Sequence, residues 1–147
     1  MIVDRGNRKE EKTEIRKGLI LINMDEVKFN FEDLKLYQKA LDFVDLAYDL
    51  TSKFPEKEKY GLRSQFTRSA VSIALNTAEG SGDSDSQFHR YLQIAEGSVR
   101  ECVTCITIAV RRDYITSEDN LKARTILLEL LKMIRSLQYY LKNKKSN

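Results

Sequence analysis

The 147 residues predict an all-α fold, an antiparallel four-helix bundle in up-down-up-down order, and three observations carry that expectation. Apolar residues recur at three- and four-residue steps in four consecutive stretches. No stretch alternates with the period of two that a half-buried strand needs. The chain holds one Pro and six Gly, too few turn formers for an all-β architecture. Four helices of about 20 residues, each about 30 Å long and joined by short connections, close most simply as such a bundle.

The first helix is expected over residues 33–54, with Leu34, Tyr37, Leu41, Val44 and Tyr48 as its core face and Pro55 as its stop. The second spans about residues 58–79. It places Leu62, Phe66, Ser69, Ile73 and Asn76 on one side, ends at Gly80-Ser81-Gly82, and carries small residues (Ala70, Ser72, Ala74, Ala78) that admit close helix approach. The third opens on a capping box of Ser84 and Gln87. It buries Phe88, Tyr91, Leu92, Ala95, Val99, Cys102, Ile106 and Ala109, and reaches about Arg112. The fourth begins at Thr116 or Ser117, has Glu118 and Asp119 in its first turn, and buries Leu127, Leu130, Leu131, Ile134, Leu137 and Leu141.

Two helices carry more apolar surface than a four-helix core needs. Leu36, Phe43 and Leu50 step by seven beside the main stripe of the first, and Leu121, Leu128 and Tyr139 lie off the main face of the fourth. Contiguous apolar surface on a soluble chain marks association, so Leu36, Phe43, Leu50 and Leu128 are expected to form an oligomer interface.

The expected division is a tail over residues 1–28, the bundle over 29–142 and a short basic tail over 143–147. Met24 precedes the first patterned segment and is an alternative start. The net charge is +3, far from the balance of a strongly basic nucleic-acid-binding domain. Most of it lies in the first 23 residues, where Arg5, Arg8, Lys9, Lys12, Arg16 and Lys17 face Asp4, Glu10, Glu11 and Glu14. No apolar run approaches the ~20 residues of a membrane span, and Leu19 to Ile22 is too short for a signal-peptide core, so a cytoplasmic location without membrane contact is expected.

Several segments together resemble a known family. They are Phe31-Glu32-Asp33-Leu34, Phe54-Pro55, Tyr60-Gly61-Leu62, the run from Gln65 to Ile73, Asn76-Thr77-Ala78-Glu79-Gly80 and Gly97-Ser98-Val99-Arg100-Glu101. In this order and spacing they resemble the bacterial four-helix-bundle family also called the 23S ribosomal RNA intervening-sequence protein family, which includes the accessory variability determinant proteins of diversity-generating retroelements. The resemblance covers about residues 31–141. It implies a short antiparallel bundle that assembles into a ring, typically a homopentamer in the retroelement branch, whose members act with a reverse transcriptase and its template RNA. The family often has Pro where this chain has Ala74 and Trp where it has Tyr37; the first departure implies a straighter second helix.

Enzymatic chemistry finds little to use. Cys102 and Cys105 form a Cys-x-x-Cys within a helix, without the second pair or the histidine that zinc requires and away from the helix start that activates a redox thiol. His89 is the single histidine, and residue 86 is Ser, so the paired Glu-x-x-His motifs of di-iron bundles are absent. No catalytic residue, metal, cofactor or small-molecule substrate is expected. Asn76 and Glu79 read as structural polar groups bonded to the third helix or to a neighbouring subunit, with Arg68, Arg100 or Ser98 as partners, and mid-helix Gly97 reads as a point of close backbone packing.

Up-down-up-down order would gather Lys53, Lys57, Lys59, Arg63, Arg111 and Arg112 against Glu56, Glu58, Asp113, Glu118 and Asp119 at one end, and Asp83 and Asp85 with Lys142, Lys144 and Lys145 at the other. Each patch is modest, but a ring would multiply a weak basic rim into a field a phosphate backbone can follow. The expected function is therefore a non-enzymatic, ring-forming nucleic-acid-binding or scaffolding protein with RNA or a ribonucleoprotein as partner. Lys57, Lys59, Arg63, Arg68, Arg111 and Arg112 are expected to contact phosphates. The alternative is a protein-protein interaction scaffold that touches no nucleic acid.

Overall fold

The computed structural model describes residues 27–144, and among them are four long helices and no strand. They are α1 (Lys35–Thr51), α2 (Leu62–Ser81), α3 (Asp85–Arg111) and α4 (Ser117–Asn143), with short 3-10 turns at Asn30–Asp33 and Glu56–Glu58. α1 packs on α2 and α4, and α3 packs on the same two helices, so helices adjacent in sequence are adjacent in space. Cross-helix bonds give the direction. Ser69 meets Glu101, Ser72 meets Ser98 and Glu79 meets Tyr91, so numbers rise on α2 as they fall on α3. Thr107 with Arg124, Glu96 with Arg135 and Asp85 with Lys144 show the same for α3 and α4. Lys39 with Glu129 and Lys53 with Asp119 show it for α1 and α4. The expected up-down-up-down order follows from these pairs.

The core runs along the bundle axis through Phe43, Phe66, Ile73, Leu92, Ile106, Leu127, Leu130 and Ile134. Phe43 and Phe66 meet edge to face at 6.0 Å. On α1 the buried face differs from the expected one. Leu36, Ala40, Phe43, Ala47 and Leu50 point inward, whereas Leu41 and Tyr48 are 36% and 55% exposed. Leu36, Phe43 and Leu50 are thus core residues of the single chain and cannot be its oligomer interface. The reason is steric. Ala40 and Ala47 share their face and let neighbouring helices approach, and alanines contribute little to a pattern read from large side chains. Leu128, by contrast, is 52% exposed.

α1 also ends earlier than expected. After Thr51 the backbone tightens through Lys53 N–H to Leu50 and Phe54 N–H to Thr51, which turns Phe54 into the core; Pro55 then precedes the next 3-10 turn. At the start of α3, Ser84 Oγ accepts the Gln87 N–H at 3.3 Å, while the Ser84 N–H donates to Asp83 Oδ1 at 2.7 Å, the role a capping box would give Gln87.

The α2–α3 seam is polar and tight. Asn76 donates to the Ser72 carbonyl and hydroxyl within its own helix, and the Ser98 hydroxyl reaches Ser72 Oγ at 2.9 Å, so Asn76 contacts α3 only through Ser72. Glu79 accepts from the Tyr91 hydroxyl at 3.3 Å, a partner not among the three expected. The close approach expected at Gly97 occurs instead at Gly80, where an added Cβ would lie 2.7 Å from Tyr91 Cβ and 2.8 Å from a Phe88 ring carbon. A Cβ at Gly97 would meet nothing within 4 Å. Residues 1–26 of the expected tail, with the Met24 start, and residues 145–147 lie outside the described residues, while Asn143 of the expected C-terminal tail is the last residue of α4.

Candidate nucleic-acid interface

Two connections meet at one end of the bundle. Lys53 Nζ lies 3.0 Å from both Asp119 carboxylate oxygens, and the rings of Phe54 and Tyr114 are 5.5 Å apart, which ties the α1–α2 link to the α3–α4 link. This end therefore gathers Lys57 in the 3-10 turn, Lys59 and Tyr60 just after it, Arg63 in the first turn of α2, and Arg111 and Arg112 where α3 stops.

The stop of α3 is built by backbone geometry. Asp113 has φ of 60°, its N–H bonds to the Val110 carbonyl, and the Tyr114 N–H reaches back to Ala109. This is the helix-terminating motif usually closed by glycine. It turns the chain sharply enough to bury Ile115 while Arg111 and Arg112 stay exposed.

Two of the carboxylates at this end, Glu58 and Asp119, are engaged by helix starts, while Glu56, Asp113 and Glu118 are exposed. Glu58 accepts the Leu62 N–H at 3.1 Å, at the start of α2. Asp119 accepts the Thr116 N–H while its own N–H bonds to Thr116 Oγ1, a capping box at the start of α4. Burial pushes the Asp119 carboxyl up, but the Lys53 ammonium and the Thr116 bonds outweigh it and hold the group below its usual value. Among the described residues Lys57, Arg63, Arg111 and Arg112 form no ion pair, and Lys59 has only Glu56 at 3.9 Å. Two acids serve the backbone here, and Lys57, Lys59, Arg111 and Arg112 are exposed.

Arg68 is not brought to this end. It lies five residues along α2 from Arg63, about 7.5 Å of helix rise, in a groove with Gln65, Ser69, Ser72, Gly97 and Glu101. Sequence reasoning missed Arg124. Its guanidinium donates to Thr107 Oγ1 at 2.6 Å and to Asn120 Oδ1 at 2.8 Å, beside the α3 groove that Thr104, Thr107, Arg111 and Arg112 line. The Asn120 pairing at four residues was readable, but the Thr107 contact depends on the α3/α4 register.

Other candidate chemistry is muted. Burial raises both thiols, Cys102 the more strongly and Cys105 to about 11, so neither is a thiolate at neutral pH. His89 lines a groove with Asp85, Ser86, Leu141 and Lys142. Among the described residues no group of three His, Cys, Asp or Glu could hold a metal ion, and no helix is long and apolar enough to cross a membrane.

Comparison with known proteins agrees with this architecture. A crystal structure of a protein of unknown function from the S23 ribosomal protein family of Bacteroides thetaiotaomicron superposes with a TM-score of 0.66 at 24% identity, covering 71% of this chain and 95% of that one. That likeness supports the fold alone. No curated protein sequence matches the chain. Residues 32–136 match the family described as 23S rRNA-intervening sequence protein. That match begins in the turn before α1 and ends two turns before the end of α4, so it takes in nearly the whole bundle, and the chain belongs to the 23S rRNA-intervening sequence protein family.

Proposed function

We propose that this protein is a non-enzymatic nucleic-acid-binding or scaffolding protein that assembles into a ring of identical copies, and that RNA or a ribonucleoprotein binds the end of the bundle carrying Lys57, Lys59, Arg63, Arg111 and Arg112. The observation that carries the reading is the state of the cations there: Lys57, Arg63, Arg111 and Arg112 form no ion pair among the described residues, and although Glu56, Asp113 and Glu118 share that end, Glu58 and Asp119 are engaged by helix starts. Unpaired cations bind a phosphate chain by displacing its counterions.

Ring assembly is supported by two exposed stripes of opposite charge. On α1, Asp45 sits one turn from both Leu41 and Tyr48, and on α4, Arg124 and Lys132 sit one turn either side of Leu128. Packing α4 on α4 across a two-fold axis would oppose like charges. A head-to-tail contact pairs acid with base, and such contacts form a ring when the rotation between copies closes and an open filament when it does not.

The test is binding of purified protein to a fluorescent structured RNA across a salt series, with mass by light scattering in the same buffers. Four phosphate contacts give an affinity loss of at least about 50-fold between 50 and 200 mM salt, and the mass should be a multiple of 17.1 kDa. A well-formed oligomer that binds no RNA at low salt would transfer the function to protein docking.

A further inference from the structure

Tyr60 is 88% exposed, the most exposed large apolar side chain among the described residues. The backbone around it is nevertheless fixed. Lys59 N–H bonds to Glu56, Gly61 N–H to the Glu58 carbonyl and Leu62 N–H to the Glu58 carboxylate, so the ring is displayed on a held loop. Its one recorded partner is the Lys59 ammonium, 5.5 Å from the ring centroid. Other aromatics have evident structural work: Phe54 packs on Phe66 and Tyr114, Phe31 on Phe29 and Tyr37, and Tyr91 bonds Glu79. Tyr48 and Tyr139 are exposed on helix stripes shared with Leu41 and Leu128. Tyr60 follows Lys59 directly and lies three residues from both Lys57 and Arg63 in the chain.

We propose that Tyr60 is a stacking platform for an unpaired base, with Lys57, Lys59 and Arg63 holding the phosphates on either side of that nucleotide. The inference rests on the RNA-binding reading above and narrows it: the ligand is a single strand, a loop or a bulge, not a continuous duplex. Duplex bases are stacked on one another and present no free face to a side chain. Unpaired bases stack readily on tyrosine, and an adjacent cation strengthens the contact with the backbone.

The experiment compares a single-stranded RNA carrying 2-aminopurine with a blunt duplex of the same sequence, using wild type, Tyr60→Ala and Tyr60→Phe. Tyr60→Ala should weaken single-strand binding about 5- to 100-fold, abolish 2-aminopurine quenching and leave both duplex affinity and the salt slope unchanged. Tyr60→Phe, which keeps the ring, should restore affinity and quenching. The exposure of Tyr60 makes loss of fold an unsuitable explanation for a selective loss of this kind. If wild type binds RNA but Tyr60→Ala keeps single-strand affinity within twofold, stacking is overturned and the basic end stands. If wild type binds no RNA at low salt, both readings fall.

Discussion

The two ends of this bundle differ in what their carboxylates bind, although each leaves cations without an ion pair among the described residues, Lys35, Arg90 and Lys142 at one and Lys57, Arg63, Arg111 and Arg112 at the other. Where α2 turns into α3, Asp83 caps the Ser84 N–H and Asp85 holds Lys144 at 3.2 Å; Lys28, near the start of α1, is held by Asp33. At the other end Glu58 and Asp119 serve the starts of α2 and α4, and of the neighbouring cations only Lys53 is tightly matched. Overall composition hides this difference, since a net charge of +3 says nothing about which carboxylates are already engaged. Surface electrostatics is decided by hydrogen-bond bookkeeping at helix ends.

Each end depends on a different packing device, and mutations can separate them. Phe54→Ala should have the largest effect, about 3–5 kcal/mol of stability by thermal or denaturant unfolding, because the ring ties both connections at the cationic end to Phe66. Gly80→Ala at the opposite end should cost about 1–3 kcal/mol, since the new methyl collides with Tyr91 and Phe88; Gly97→Ala, with open space around it, should instead stabilise by up to about 1 kcal/mol.

Acid should distinguish the ends more gently. The Asp119 carboxyl titrates lower in the fold than in the unfolded chain. Its stabilising effect is therefore present above the unfolded value of about 4 and is lost as pH falls through the folded value. Amide protection factors at Thr116 to Asn120, which take out the intrinsic pH dependence of exchange, should fall below about pH 4 before those of mid-helix α3. Fraying that leaves the start of α4 intact would contradict the role assigned to Asp119. The smallest change is Asp113→Asn, which keeps a residue tolerant of positive φ and removes an acid from the cationic end; RNA affinity should rise about two- to threefold.

The fold was largely legible in the sequence, and the exceptions have physical causes. Caps at Ser84 and Thr116 and Gly82 after α2 located three helix boundaries because those signals are local, although Gly80 lies inside α2 and does not stop it. The inward face of α1 was misread because Tyr37, Leu41, Val44 and Tyr48 outweigh Ala40 and Ala47 in any count of hydrophobicity, yet the alanines allow helices to close. Gly97 and Gly80 could not be ranked, since close approach depends on what lies across the seam. At the candidate site, the gathering of Lys57, Lys59, Arg63, Arg111 and Arg112 followed from topology alone. The displacement of Arg68, the proximity of Arg124 to that cluster and the engagement of Glu58 and Asp119 required the register of the helices.

The most direct test reverses charge at one end at a time. RNA affinity should be measured across a salt series for a Lys57→Glu, Arg63→Glu, Arg111→Glu, Arg112→Glu variant and for a Lys28→Glu, Lys144→Glu variant of equal helicity. The account predicts at least about a 50-fold loss and a flattened salt slope for the first, and a change within about threefold for the second. Equal losses at both ends, or none at either, would contradict it.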